Sequence, residues 1–395
     1  MADRKTAALV QKHHDIADLS IALVAGLALT LTLLLVFAVP ASSKLVATRD
    51  FVSYWATGQQ LARHANPYDR SEIQQIEHAA GLFPNGVLLM RNPPWTLPLV
   101  YPLGFLDVRV AAALWTLLLI ACLMTSVHLI RIMNGSPDGP IHWLGLSFSP
   151  ALICLAMGQT SIFALLGLVL FLRYHAARPF VAGLSLWLCS LKPQLFLPFA
   201  VVLALWILVA RSYKIVAGTA AAIALSSACG LALDPAAWSD YVGMMRSPAV
   251  QQEVVPCLSD AIRFAIRPQA IWIQYAPAAL GCIWAVIYYW RRRAVWNWAE
   301  NSNPLILASL LTAPYCWFYD QTIVLPTVMH GAYVTRHRWM LTVLALLIAT
   351  VDVEMCKIKV LSPIYLWNIP AWLIWYLIAH ATARQHAPYV PEASN

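Results

Sequence analysis

Apolar residues run along this chain in long blocks that are broken by short polar stretches instead of alternating with them. A helix needs ~20 apolar residues to cross the hydrocarbon of a bilayer, whereas a half-buried soluble helix or strand shows a 3.6- or 2-residue period. The first block, 21–39, follows a polar start carrying Arg4, Lys5 and Lys12. Val39-Pro40-Ala41-Ser42 has a faint likeness to a signal-peptidase site, but the block exceeds the roughly 7–15 residue core of a cleaved signal, so it reads as a retained signal-anchor. Further blocks cover 107–131, 143–157, 160–174, 180–191, 195–210, 214–233, 270–290, 303–315, 320–334, 339–353 and 363–381. The pattern predicts an all-α membrane protein with about twelve spans, several of them short enough to be tilted or re-entrant. Residues 1–395 form one integral membrane domain on this reading.

Lys and Arg in the short loops set the orientation. With the N-terminus cytoplasmic, the inner loops hold Arg131, Arg173, Arg178, Arg211, Lys214, Arg291–Arg293, Arg336 and Arg338. Acidic residues such as Asp50, Glu77, Asp234, Glu253 and Asp320 then fall outside. Both termini are expected in the cytoplasm of a multi-pass cell-membrane protein. Two long extracytoplasmic loops, 41–106 and 234–269, are where chemistry is expected.

The first of these loops carries helical signals of its own. From Asp50, the run DFVSYWATGQQLARH puts Phe51, Tyr54, Trp55, Gly58, Leu61 and Ala62 on one face. Ser71 with Gln74 three residues later makes a capping box, predicting a second short helix through about Ala80. Amphipathic helices of this kind are expected to lie in the interface with their aromatics in lipid. A Pro-rich run from Asn92-Pro93-Pro94-Trp95 through Pro102 leads back to the membrane.

Composition supports the membrane reading: 60% of residues are hydrophobic and 11% charged, against roughly a quarter charged in soluble domains. The net charge of +8 does not imply nucleic acid, because no basic stretch is interleaved with polar sequence as a docking surface requires. The eight Cys are scattered singly, which offers neither a zinc site nor a disulfide framework. His13–His14 is a close pair, but it sits in a polar tail and is not expected to bind metal. No metal and no cofactor is expected.

Four polar constellations interrupt apolar sequence on the same predicted side, and polar groups at membrane depth are costly enough to suggest function. Asp50 is either the N-cap of its helix or a reactive carboxylate. Gly158-Gln159-Thr160-Ser161 is either a polar turn or a substrate contact. At Leu191-Lys192-Pro193-Gln194, Lys192 either snorkels to headgroups or binds an anion. Ala313 to Gln321 sets Asp320 among Tyr315, Trp317, Phe318 and Tyr319, which suits sugar stacking as well as an interfacial aromatic belt.

Together these motifs resemble glycosyltransferase family 87. The resemblance rests on Asp50-Phe51, Tyr54-Trp55, Asn66-Pro67-Tyr68-Asp69, Pro93-Pro94, Gly158-Gln159, Lys192-Pro193 and Pro314 to Trp317, in that order over about 50–325. It implies a GT-C bundle and an inverting enzyme that moves a mannose-like hexose from a polyprenyl-phosphate donor to a lipid-linked or glycan acceptor. It also implies that Asp50 matches the family's catalytic aspartate. One departure is that mycobacterial members have a His pair where this chain has Tyr319-Asp320, so donor-phosphate contacts of that region do not carry over.

A weakly nucleophilic sugar hydroxyl gains from a general base, and a departing phosphate needs its charge held by cations. Lys192 is the first candidate cation, with Arg263 and Arg267 behind it. Gln159, Tyr54, Tyr315, Trp317 and Asp320 complete the expected substrate contacts. A transporter or flippase of a lipid-linked glycan is the alternative. It predicts internal repeats or paired broken helices, which are not evident here.

Overall fold

The computed structural model describes residues 2–82, 86–357 and 363–384. Outside this range lie residues 83–85 of the first long loop and the expected cytoplasmic C-terminus at 385–395. The side chains of residues 2–14, including His13 and His14, and those of 356–357 and 383–384 also lie outside it. The regular structure of the described residues is all helical, with no strand among them.

Five helices are long and apolar enough to cross a membrane: Asp15–Phe37, Val108–Met133, Pro193–Ala210, Tyr213–Leu233 and Ile271–Val295. The expected count of about twelve is therefore not reached by length and composition among the described residues. Pro and Gly account for several of the short helices, because they stop helices that apolarity alone would extend. Ser149–Met157 ends on Gly158, and Pro179–Cys189 stops ahead of the Pro193–Phe196 turn. Trp298–Leu311 stops ahead of Pro314, and a 3₁₀ turn, Phe318–Val324, follows. These breaks are the polar interruptions noted in the sequence, so each broken helix brings a polar turn to one end of the bundle.

The first long loop is folded into the body of the protein. Its Phe51–Ala62 helix is mostly buried, with Phe51 and Tyr54 inside the core. This corrects the expectation of an interfacial helix with its aromatics in lipid. The cause is a close backbone approach: a Cβ on Gly104 would lie 2.1 Å from the Gly58 carbonyl oxygen. Two glycines therefore let the helix press flat against the Tyr101–Phe105 turn. Trp55 and Gln59 fasten the same seam by donating to the carbonyls of Leu106 and Gly104 at 2.9 and 2.7 Å.

The second helix of the loop, Arg70–Ala80, starts earlier than the Ser71 capping box predicts. Asp69 is its N-cap and accepts from the backbone N–H groups of Ser71 and Glu72 at 2.8 and 3.1 Å. Beyond it, residues 86–92 form a strap without helix or strand. Leu88 N–H donates to Glu77 at 2.9 Å, and Asn92 Nδ2 donates to the Leu191 carbonyl at 2.8 Å. These bonds fix the strap near both ends.

Candidate active site

The sequence around Asp50 puts its carboxylate in a cavity, not on a helix end. Asp50 occupies the N-cap position of Phe51–Ala62 in helical geometry, and its side chain makes no capping bond. The neighbouring Arg49 explains the placement. It is buried and donates to the carbonyls of Ala156 and Leu155 at 2.5 and 2.7 Å, occupying acceptors at the end of Ser149–Met157. That helix closes on Gly158 in the left-handed region, at φ 73°. A Cβ there would meet the Phe51 Cβ at 2.7 Å, so only glycine lets Phe51 pack against the turn. The result sets Asp50 beside Gln159, whose Nε2 donates to Asp50 Oδ2 at 2.7 Å.

Gln159 is held from the other side. Its Oε1 accepts from Tyr54 OH at 2.9 Å and from Lys192 Nζ at 3.0 Å, which commits its amide N–H₂ to Asp50. Burial pushes the Asp50 carboxyl above its ordinary range, and the Gln159 amide and the Lys192 charge pull in the opposite direction.

The cavity these residues face has a volume of about 450 Å³. Asp50, Ser53, Tyr54, Gln159, Lys192, Tyr315, Trp317 and Tyr319 line it, together with Arg91, Asn92, Glu253 and apolar residues of the strap such as Leu88 and Met90. Carboxylates, amides and aromatic faces around a cavity of this size suit a sugar, and the apolar strap residues suit a hydrocarbon neighbour.

Six of the nine residues singled out from the sequence meet here: Asp50, Tyr54, Gln159, Lys192, Tyr315 and Trp317. Lys192 is less available than an anion site requires. Its Nζ donates to Gln159 Oε1 and Ser161 Oγ, each at 3.0 Å, and to Asp320 Oδ1 at 2.6 Å, so all three protons are spent. Asp320 lies behind the cavity wall and is fully buried. It also accepts from Ser161 Oγ at 2.5 Å and from the Trp317 N–H at 2.9 Å, and it does not face the cavity.

Arg263 and Arg267 are not brought to the cavity. Arg263 is buried, pairs with Asp260 at 2.9 Å and donates to the Gln251 carbonyl at 3.1 Å. It braces the stretch that carries Glu253. Arg267 is exposed just past the Leu258–Ile266 helix.

Arg91 and Glu253 escaped the sequence reading. They form an ion pair that joins the two long loops, and Arg91 also lies over the Tyr315 ring, 5.7 Å from its centroid. The available signal was one basic residue directly ahead of Asn92-Pro93-Pro94 in a segment otherwise poor in positive charge. Among the described residues, no group of His, Cys, Asp and Glu is arranged to hold a metal ion.

Residues 91–314, more than half of the chain, match the family model for Glycosyltransferase family 87. No curated protein and no solved structure matches the chain.

Proposed function

The chain belongs to glycosyltransferase family 87, and on that footing we propose that it transfers a mannose-like hexose from a polyprenyl-phosphate donor to a lipid-linked or glycan acceptor. The reaction inverts the anomeric centre. The acceptor hydroxyl oxygen bonds to C1 and its proton passes to the Asp50 carboxylate. The bond from C1 to the phosphate oxygen breaks, and polyprenyl phosphate leaves with the electron pair. An oxocarbenium-like transition state makes the attacking hydroxyl more acidic as the bond forms, so a carboxylate suffices as base.

The observation that carries this reading is the Asp50 carboxylate, which faces the cavity in the grip of Gln159 although its backbone sits where a cap would be. Tyr315, Trp317 and Tyr319 offer ring faces for the sugar. We place this chemistry on the extracytoplasmic side, with 41–106 and 234–269 outside and both termini in the cytoplasm. The basic short loops support that orientation, as does the meeting of the two long loops at one cavity through Arg91 and Glu253.

Asp50→Asn tests the proposal. Asn keeps the shape and an acceptor for Gln159 but cannot take the proton, so turnover of polyprenyl-phosphate mannose should fall ~100-fold or more. Thermal stability should stay near wild type, because no capping bond is lost. Near-normal turnover by the folded Asn variant would remove Asp50 from the mechanism.

A further inference from the structure

Two cations line the cavity, Arg91 and Lys192, and they differ in how firmly they are committed. Lys192 neutralises a fully buried carboxylate that has no other cation among the described residues, and all its protons are used. Releasing it to a ligand would strand Asp320 as an unpaired buried charge. Arg91 is paired with Glu253, whose side chain is 31% exposed, while that of Arg91 is 23% exposed. Such a partly exposed pair is screened by water and freer to change partners than the buried Lys192–Asp320 pair.

The surroundings of Arg91 are built for a tetrahedral anion. Its guanidinium fork matches two oxygens of a phosphate. Tyr315 OH accepts from Arg91 Nη1 at 3.2 Å and from Trp317 Nε1 at 2.6 Å. Both acceptor positions of that hydroxyl are therefore filled, and its own proton has no acceptor among the described residues. A phosphate oxygen on Arg91 would meet this proton as a second donor.

We infer that the donor's phosphate binds on Arg91 and Tyr315, and that Glu253 is an anionic placeholder which the phosphate displaces. The inference rests on the polyprenyl-phosphate reading above and deepens it. When empty, the site holds its guanidinium in place with a carboxylate from the second long loop. When the donor arrives, Glu253 moves off and its ion pair to the strap is broken, while Tyr241 OH keeps its bond to the Arg91 carbonyl. Arg263 and Asp260, which shape the Glu253 stretch from below, keep their own pairing throughout.

The test is a binding titration of the full chain in phosphatidylcholine nanodiscs, using undecaprenyl phosphate and, separately, undecaprenol. The wild type should prefer the phosphate. Arg91→Gln should weaken undecaprenyl phosphate binding by about tenfold or more and leave undecaprenol binding unchanged. Glu253→Gln should tighten undecaprenyl phosphate binding several-fold, because the competing carboxylate is gone, and this arm decides the matter even if Arg91→Gln does not fold. Unchanged phosphate binding in Arg91→Gln, or unchanged or weaker phosphate binding in Glu253→Gln, overturns the inference and leaves the donor reading standing. A wild type that does not distinguish phosphate from alcohol overturns both.

Discussion

Gln159 and Asp50, 109 positions apart in the chain, are joined by a hydrogen bond of 2.7 Å whose direction is fixed from behind. Tyr54 and Lys192 both donate to the Gln159 carbonyl oxygen, so its amide can only present N–H to the carboxylate. Gln159 thus favours the ionised form of Asp50 and holds its carboxylate in one orientation, which on the proposed mechanism makes it a positioning residue.

Replacing Gln159 by Leu should therefore act through Asp50. Losing a donor to the charged form raises the pKa of a carboxyl already raised by burial. If Asp50 is the proposed base it works only when ionised, so the acid limb of the pH–rate profile should move to higher pH, and turnover near neutrality should drop about tenfold or more. Gln159→Glu, which sets a second carboxylate against the first, should move the limb further. A lower rate with an unmoved limb would assign Gln159 a purely structural part.

Lys192 and Asp320 should behave as a coupled pair in stability. Lys192→Met leaves Asp320 buried without its cation, a loss expected to cost about 3–5 kcal/mol. Adding Asp320→Asn to that variant should restore part of the stability, giving a favourable coupling of about 1 kcal/mol or more in a double-mutant cycle read by thermal unfolding. Strict additivity would mean that the two groups do not depend on each other.

Glu77 gives a pH signature of a different kind. It is fully buried under the strap, with Oε2 accepting from Leu88 N–H and Oε1 unpartnered. Burial pushes its carboxyl up from 4.5 to about 8. Between those two values the unfolded chain has lost the proton and the folded chain keeps it, so the Glu77 contribution to stability is fully present below about 4.5 and is lost as pH rises to about 8. Glu77→Gln keeps an acceptor for Leu88 and removes the titration. Melting temperatures of the wild type should decline across this window, and those of the variant should decline less. Parallel curves would exclude Glu77 as the source.

Much of the cavity could be read from the sequence because its polar residues interrupt apolar blocks. Asp50, Gln159, Lys192 and Tyr315 stand out against Leu, Ile and Val, and all four line one cavity. What could not be read were the partners. Lys192 is a lone cation in the sequence, and only the fold brings Asp320 to it from 128 positions away. Arg91 and Glu253 lie in ordinary loop sequence and gain meaning only as a pair across 162 positions. Arg263 pairs with Asp260 three residues earlier on its own helix, a local contact that takes it out of reach of any ligand. The aromatic face of Phe51–Ala62 is legible in the sequence, and the protein that covers it is not. A periodic apolar stripe predicts burial without saying whether lipid or protein covers it.

The seam between Gly58 and Gly104 has a mechanical consequence. Backbone there rests on backbone, so nothing compressible separates the helix that begins at Asp50 from the turn that feeds directly into the Val108–Met133 span. A bilayer that thickens or thins makes its spanning helices tilt, and a catalytic group on a soft mounting would drift with respect to a substrate tethered in the same lipid. With side chains absent at the contact, the carboxylate and the span behave as one lever. On the proposed mechanism, tilt of that span would shift the depth of Asp50 and so couple its reach toward an acceptor to membrane thickness.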